Sequence, residues 1–388
     1  MKQVITGNEA AALAAKLARV QVISAYPITP QTQIVEGLSG MVEKKELRAE
    51  FINVESEHSA ISALVGAQAV GARSFTATSS QGLALMHEVL FFAASSRLPI
   101  VMAVVNRMVA APLGIGCEYN DSMPQRDTGW MQFYVEDNQE VIDTLLQAFK
   151  VSEHPDVLLP AMVCLDGLIL SHTVNAVEIP DQQKVDSFLP PYRPTLKLDE
   201  NDPYVYGAVF APGDQANVLI RYEQERAMQS AKAVINQVDR EFEKVFGRSY
   251  GGLMEKYKME GAEFALITLG SMTSTCRAVV DELRAKGRPV GLIKVRSFRP
   301  FPIESLREAL ADVTAVGVFD RSVSFGSGGP NYLEVRSALH GLEIRIVNFI
   351  AGLGGKHILP QDIHKMFKML EEKTTGKEEK DVFWMDLG

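Results

Sequence analysis

Val20-Gln21-Val22-Ile23-Ser24-Ala25-Tyr26-Pro27-Ile28-Thr29-Pro30 decides the fold: an apolar, β-branched run is stopped by two prolines that bracket one hydroxyl. Val20 to Ala25 has the composition of a strand buried on both faces, as in a parallel sheet. Pro27 and Pro30 end it and fix φ at about −65° at two nearby positions, which stiffens the turn. In an open α/β sheet, ligands bind at turns of this kind, at the carboxyl ends of strands. A rigid turn here would hold the Thr29 hydroxyl still. A proline-rich lead into the next helix explains the same residues, and the turn alone leaves both readings open.

Outward from this stretch the texture alternates. Strand-type runs recur at Phe51 to Val54, Ser74 to Ala77, Ile100 to Val105 and Leu158 to Leu165. Helical spacing marks Ile34 to Lys44, Ser59 to Val70, Gly82 to Ala94 and Asn138 to Val151. Thr6-Gly7-Asn8-Glu9 fits a capping box in front of an alanine-rich helix, Ala10 to Ala18. Alternation of strand and helix predicts an α/β fold, a doubly wound parallel sheet with helices on both faces. From Pro180 to Pro212, four prolines (190, 191, 194, 203) punctuate an acidic segment that reads as an irregular arm. Val218 to Phe246 reads as a long charged helix with one apolar stripe of Leu219, Ala227, Ala231, Val234, Ile235 and Val238. A second alternation follows, from Phe264 to Asn348, and predicts a smaller α/β unit. The expected division is 1–180, then 181–258 for arm and helix, then 259–388. The polar tail after Glu371 is expected to be mobile as far as Val382-Phe383-Trp384.

Composition narrows the function. A net charge of −9 on 388 residues argues against nucleic acid and anionic membranes, both of which need clustered positive charge. No apolar run reaches the roughly 20 residues a bilayer demands. Three scattered cysteines, Cys117, Cys164 and Cys276, make neither a disulfide framework nor a four-cysteine cluster. The expectation is a cytoplasmic protein with no metal site of its own.

Three more turns carry chemistry-bearing residues. Ser56-Glu57-His58 opens a helix of small residues after the second strand, where a glutamate can be a mere first-turn charge. Thr78-Ser79-Ser80-Gln81-Gly82 follows the third strand; a simple serine cap explains it as well. Asn106-Arg107 follows the fourth, where an arginine suits a bidentate grip on a carboxylate or a structural ion pair. All four turns fall at one edge of the predicted sheet, which favours function over four coincidences. His58 reads best as a helix-face histidine, and the glycines at Gly326-Ser327-Gly328-Gly329 and Gly352-Leu353-Gly354-Gly355 as turns.

These motifs, with Gly114-Ile115-Gly116, Asp166-Gly167, Ile267-Thr268-Leu269-Gly270-Ser271 and Val295 to Pro302, resemble the alpha subunit of 2-oxoacid:ferredoxin oxidoreductases, the pyruvate type above all. The resemblance spans nearly the whole chain in order. It implies a pyrimidine-side thiamine diphosphate-binding domain followed by a transketolase C-terminal-like domain. Glu57 matches the glutamate that hydrogen-bonds N1′ of the aminopyrimidine and so promotes loss of the C2 proton. Thr29 and Arg107 match positions that hold the substrate; Tyr26, Pro27, Ser80 and Gln81 match the cofactor's flank. The implied reaction is reversible oxidative decarboxylation of pyruvate with coenzyme A to acetyl-CoA and CO2, with electrons passing to ferredoxin.

The sequence has no Gly-Asp-Gly motif for a diphosphate-bound metal and no cluster-binding cysteines. A beta subunit is therefore expected to carry the diphosphate and Mg²⁺ half-site. Gamma- and delta-type, or fused, subunits are expected to carry [4Fe-4S] clusters. Three alternatives remain open: the same chemistry on a branched-chain or aryl 2-oxoacid, read by a pocket around Leu113 to Tyr119; a non-catalytic scaffold of the same fold; and a stand-alone transketolase-like enzyme, which the missing motif disfavours.

Overall fold

The computed structural model describes residues 1–109, 112–201, 211–375 and 381–387. Its first sheet has seven strands, in the order Ser297–Arg299, Met131–Tyr134, Ala161–Asp166, Val101–Asn106, Ser74–Thr78, Val22–Ala25, Glu50–Asn53. Every pairing is parallel except the outermost, Ser297–Arg299 on Met131–Tyr134. Alternate residues explain the layers. Val101, Ala103 and Val105 share a core with helices Gly7–Leu17 and Asn138–Ser152, while Met102 and Val104 share another with Glu57–Ala69 and His87–Ser95. A strand apolar on both faces needs a helix layer on each side, so the doubly wound expectation holds.

The winding reverses beside Val22–Ala25. Glu50–Asn53 pairs on one side of it, and Ser74–Thr78 on the other. The chain then continues outward to Val101–Asn106 and Ala161–Asp166. Such a reversal opens a crevice at the carboxyl ends of the two strands that diverge.

The second sheet has six strands, in the order Val382–Trp384, Arg345–Ile350, Ala315–Asp320, Phe264–Thr268, Val290–Val295, Met254–Tyr257. Leu266, Leu292 and Phe349 pack with helices Met272–Ala285 and Pro360–Thr375, and Ile267, Ile293 and Val318 pack with Ile303–Ala309 and Pro330–Ala338. The second core is continuous with the helices Glu57–Ala69 and His87–Ser95 of the first unit, so the two sheets share apolar contacts.

The structure differs from expectation in several places. Met254–Tyr257, inside the span read as arm and helix, pairs antiparallel with Val290–Val295. Ser297–Arg299 leaves the second sheet for the first. Both strands are too short to show a period, and glycine or proline sits beside each. The arm is not irregular throughout: Asp181 caps a helix, Gln182–Phe188, whose Phe188 meets Phe242 and Phe246 of the long helix Gln215–Phe246 edge-on. Residues 202–210 of the expected arm lie outside the described residues. Leu219 is 56% exposed, whereas Ala227, Ala231, Val234, Ile235 and Val238 are buried; the stripe begins only where the helix meets the first unit. The run Gly82 to Ala94 is two helices, Ser80–Leu85 and His87–Ser95, broken at Met86. Helix Pro360–Thr375 carries the chain past Glu371, and residues 376–380 of the expected tail lie outside the described residues. Among the described residues, no helix is long and apolar enough to cross a membrane.

Candidate functional site

The four turns meet at the carboxyl edge of four adjacent parallel strands. Arg107 draws three of them together. Its Nη1 donates to the Thr29 carbonyl (2.6 Å) and its Nη2 to Gln81 Oε1 (2.9 Å), while its buried Nε has no partner. Thr29 was expected to present an immobilised hydroxyl. Its carbonyl is what the arginine holds, and the residue itself is exposed. Tyr26 is 38% exposed, and its carbonyl accepts from Gln31 Nε2 (2.7 Å), which closes the turn. Pro27 is also exposed.

Glu57 begins the helix Glu57–Ala69, behind an N-cap in which the Ser56 hydroxyl accepts from the Ser59 amide (3.2 Å). It is only 6% exposed, yet its carboxylate has no hydrogen-bond partner among the described residues. Gly82 lies directly against it: a Cβ at Gly82 would stand 2.5 Å from Glu57 Oε1 and 2.6 Å from Thr78 Oγ1. The hydroxyls of Thr76, Thr78 and Ser79 are also buried without partners. Ser80 has φ +51°, in the left-handed region. Its Oγ lies 2.7 Å from the Met108 carbonyl and 2.5 Å from Gln81 Oε1.

One functional-edge residue escaped the sequence reading. Asp121 is fully buried and accepts from the backbone amides of both Ser80 (3.1 Å) and Arg107 (3.0 Å). It sits in an irregular segment whose composition gives no signal. Asp166, met in the sequence only as part of a motif, lies between the two units. It accepts from Tyr119 Oη (2.8 Å), from Arg321 Nη1 (2.5 Å) and from Ser271.

The lesser candidates divide. His58 is exposed on the outer helix face. Burial pushes the Cys117 thiol well above its ordinary value, so it stays protonated. Gly352, Gly354 and Gly355 have positive φ, as turns should, and Gly354 and Gly355 pack against Gly116. Of the expected side-chain pocket, Leu113 and Ile115 are exposed, whereas Cys117 and Tyr119 are buried.

Known proteins are similar to this chain over nearly its whole length. Residues 13–240 match the family described as pyruvate flavodoxin/ferredoxin oxidoreductase, thiamine diphosphate-binding, and residues 262–363 match pyruvate:ferredoxin oxidoreductase core domain II. The pyruvate synthase subunit PorA of Methanothermobacter thermautotrophicus is 49% identical over 99% of this chain and 98% of its own length. The ketoisovalerate oxidoreductase subunit VorA of Pyrococcus abyssi is 46% identical over 100% of this chain and 98% of its own. The solved 2-oxoglutarate:ferredoxin oxidoreductase of Magnetococcus marinus shares the fold, with a TM-score of 0.74 at 20% identity, over 95% of this chain and 65% of that one. A split-gene transketolase is a more distant fold relative, with a TM-score of 0.51 at 13% identity over 97% of this chain and 100% of its own. The chain belongs to the alpha subunits of the 2-oxoacid:ferredoxin oxidoreductases, which are thiamine diphosphate-dependent enzymes.

Proposed function

We propose that this chain is the catalytic alpha subunit of a pyruvate:ferredoxin oxidoreductase, with Glu57, Arg107 and Thr29 carrying its part of the chemistry. The observation behind this reading is the Glu57 carboxylate, set against Gly82 and Thr78 at the crevice with no hydrogen-bond partner among the described residues. The Thr78 hydroxyl beside it also has no partner, so the residues present suit a polar heterocycle. Thiamine diphosphate, when bound, supplies the electron sink that lets a 2-oxoacid lose CO2.

Glu57 holds the proton at N1′ of the aminopyrimidine. Gly82 leaves room for the Glu57 carboxylate, and Tyr26, Pro27, Ser80 and Gln81 would form the cofactor's flank. Arg107 keeps an unpaired Nε and a fork already tied to Thr29 and Gln81, so it meets the substrate carboxylate in a fixed orientation. The exposed Thr29 hydroxyl takes the keto oxygen. Tyr26, just past strand Val22–Ala25, and Ile52, on the neighbouring strand, are each 38% exposed and leave an apolar rim at this edge for a beta subunit bearing the diphosphate and Mg²⁺. Iron–sulfur subunits and ferredoxin take the electrons, and coenzyme A takes the acyl group. Three buried free thiols suit the reducing cytoplasm.

A second reading, a branched-chain 2-oxoacid as substrate, draws on the VorA relative. The test is anaerobic purification of the tagged chain with its partners, then dye reduction with coenzyme A and either pyruvate or 2-oxoisovalerate. Preference for pyruvate is expected. Preference for the branched acid selects the second reading, and no oxoacid-dependent reduction overturns both.

A further inference from the structure

The Asp121 carboxylate sits beneath the turns that carry Ser80 and Arg107, and every group facing it is a donor. Oδ2 accepts from the amides of Ser80 (3.1 Å) and Arg107 (3.0 Å), and Oδ1 from Asn106 Nδ2 (2.8 Å) and the Ser122 amide (2.7 Å). Among the described residues no cation pairs with it, so the carboxylate is not half of a salt bridge there. Burial pushes it up to about 6, although the four donors pull the other way. A buried, unpaired carboxylate is an expensive way to satisfy four N–H groups unless their placement matters.

Placement does matter here. Ser80 takes a left-handed φ that a side-chain-bearing residue adopts only when its surroundings hold it there. Gln81, next in sequence, accepts from the far end of Arg107. One carboxylate therefore fixes the backbone at the root of Arg107 and the backbone that presents the partner of its tip. We infer that Asp121 is a positioning residue that orients the Arg107 guanidinium toward the substrate carboxylate by clamping the Ser80 and Arg107 turns together. The inference rests on the reading of Arg107 as the carboxylate grip.

The test is a double-substitution cycle in the assembled complex, with KM measured separately for pyruvate and for coenzyme A. Arg107→Ala and Asp121→Ala are each expected to raise KM for pyruvate about ten-fold or more, the size of a lost charge-assisted contact. KM for coenzyme A should stay unchanged. In the Arg107→Ala background, Asp121→Ala should add less than about two-fold, because it acts through the missing group. Asp121→Asn should fall between, since an amide keeps one acceptor oxygen and the unpartnered Asn106 Oδ1 can meet its N–H. If Asp121→Ala does not assemble, the same cycle with Asp121→Asn decides. Full additivity, or KM for pyruvate unchanged in the Asp121 variants while Arg107→Ala is impaired, overturns the inference alone. An unimpaired Arg107→Ala overturns the Arg107 reading and the inference with it.

Discussion

Gly82 shows how much of the site is decided by single atoms. Its missing side chain leaves the space that Glu57 Oε1 and Thr78 Oγ1 occupy, and the Glu57 carboxylate is the side-chain tip that an added methyl would displace. Gly82→Ala should push the carboxylate from its seat and lower turnover by about ten-fold or more, since misplacing a reacting group by an ångström is costly. Size-exclusion chromatography and a steady-state assay of the complex would separate that loss from misassembly. Unchanged turnover would mean that the Glu57 position is not critical. At this scale the placement of Glu57 and Arg107 at the sheet edge was legible, because each falls in a turn at a predicted strand end. Asp121 was not, because an aspartate in an irregular segment looks like any turn residue until the fold brings Ser80 to it. Thr29 was half legible: the turn is held, but through its carbonyl.

Helix Asn138–Ser152 and strand Val290–Val295 lock the two units together through buried charge. Lys294 Nζ bonds Glu140 Oε2 at 2.6 Å and lies 3.2 Å from Glu136 Oε2, and Arg277 bonds both Glu136 and Glu255. Burial pushes the Glu140 carboxyl above its ordinary range, while Lys294 and Arg296 oppose the shift. Removing one partner leaves a buried charge uncompensated, so Lys294→Met should destabilise the chain by about 3–5 kcal/mol. Lys294→Met combined with Glu140→Leu should recover most of that loss, and thermal melting of the three proteins checks both statements. Helix and strand alike were visible in the sequence by their apolar periods. The pairing between them was not, since an acidic helix face and a lysine in a strand read simply as solvated positions. Ser297–Arg299 was hidden for a different reason: three residues before a proline carry no period, and only the exposed edge of Met131–Tyr134 gives them a place.

Over the whole molecule the second unit acts as a backstop to the site. The Cys117 carbonyl accepts from the Gly355 amide (2.9 Å), the Arg321 carbonyl from the Tyr119 amide (3.0 Å), and Glu118 from the Gly354 amide (3.1 Å). These bonds pin the segment that follows Arg107 against the second sheet, and Asp166 joins Tyr119, Ser271 and Arg321 at the same seam. The doubly wound architecture of both units followed from alternation alone. Their docking did not, because it depends on backbone groups that no composition reveals. The proposed function turns on Glu57 handling the proton at N1′ of the aminopyrimidine in a site completed by a partner chain. The most direct measurement is C2-proton exchange of bound thiamine diphosphate, in the assembled complex with Glu57→Gln against the unsubstituted complex. An amide cannot share the N1′ proton as a carboxylate does, so exchange should slow by about 100-fold or more with the cofactor still bound. Exchange at the unsubstituted rate would remove Glu57 from the chemistry and leave it as no more than the first residue of its helix.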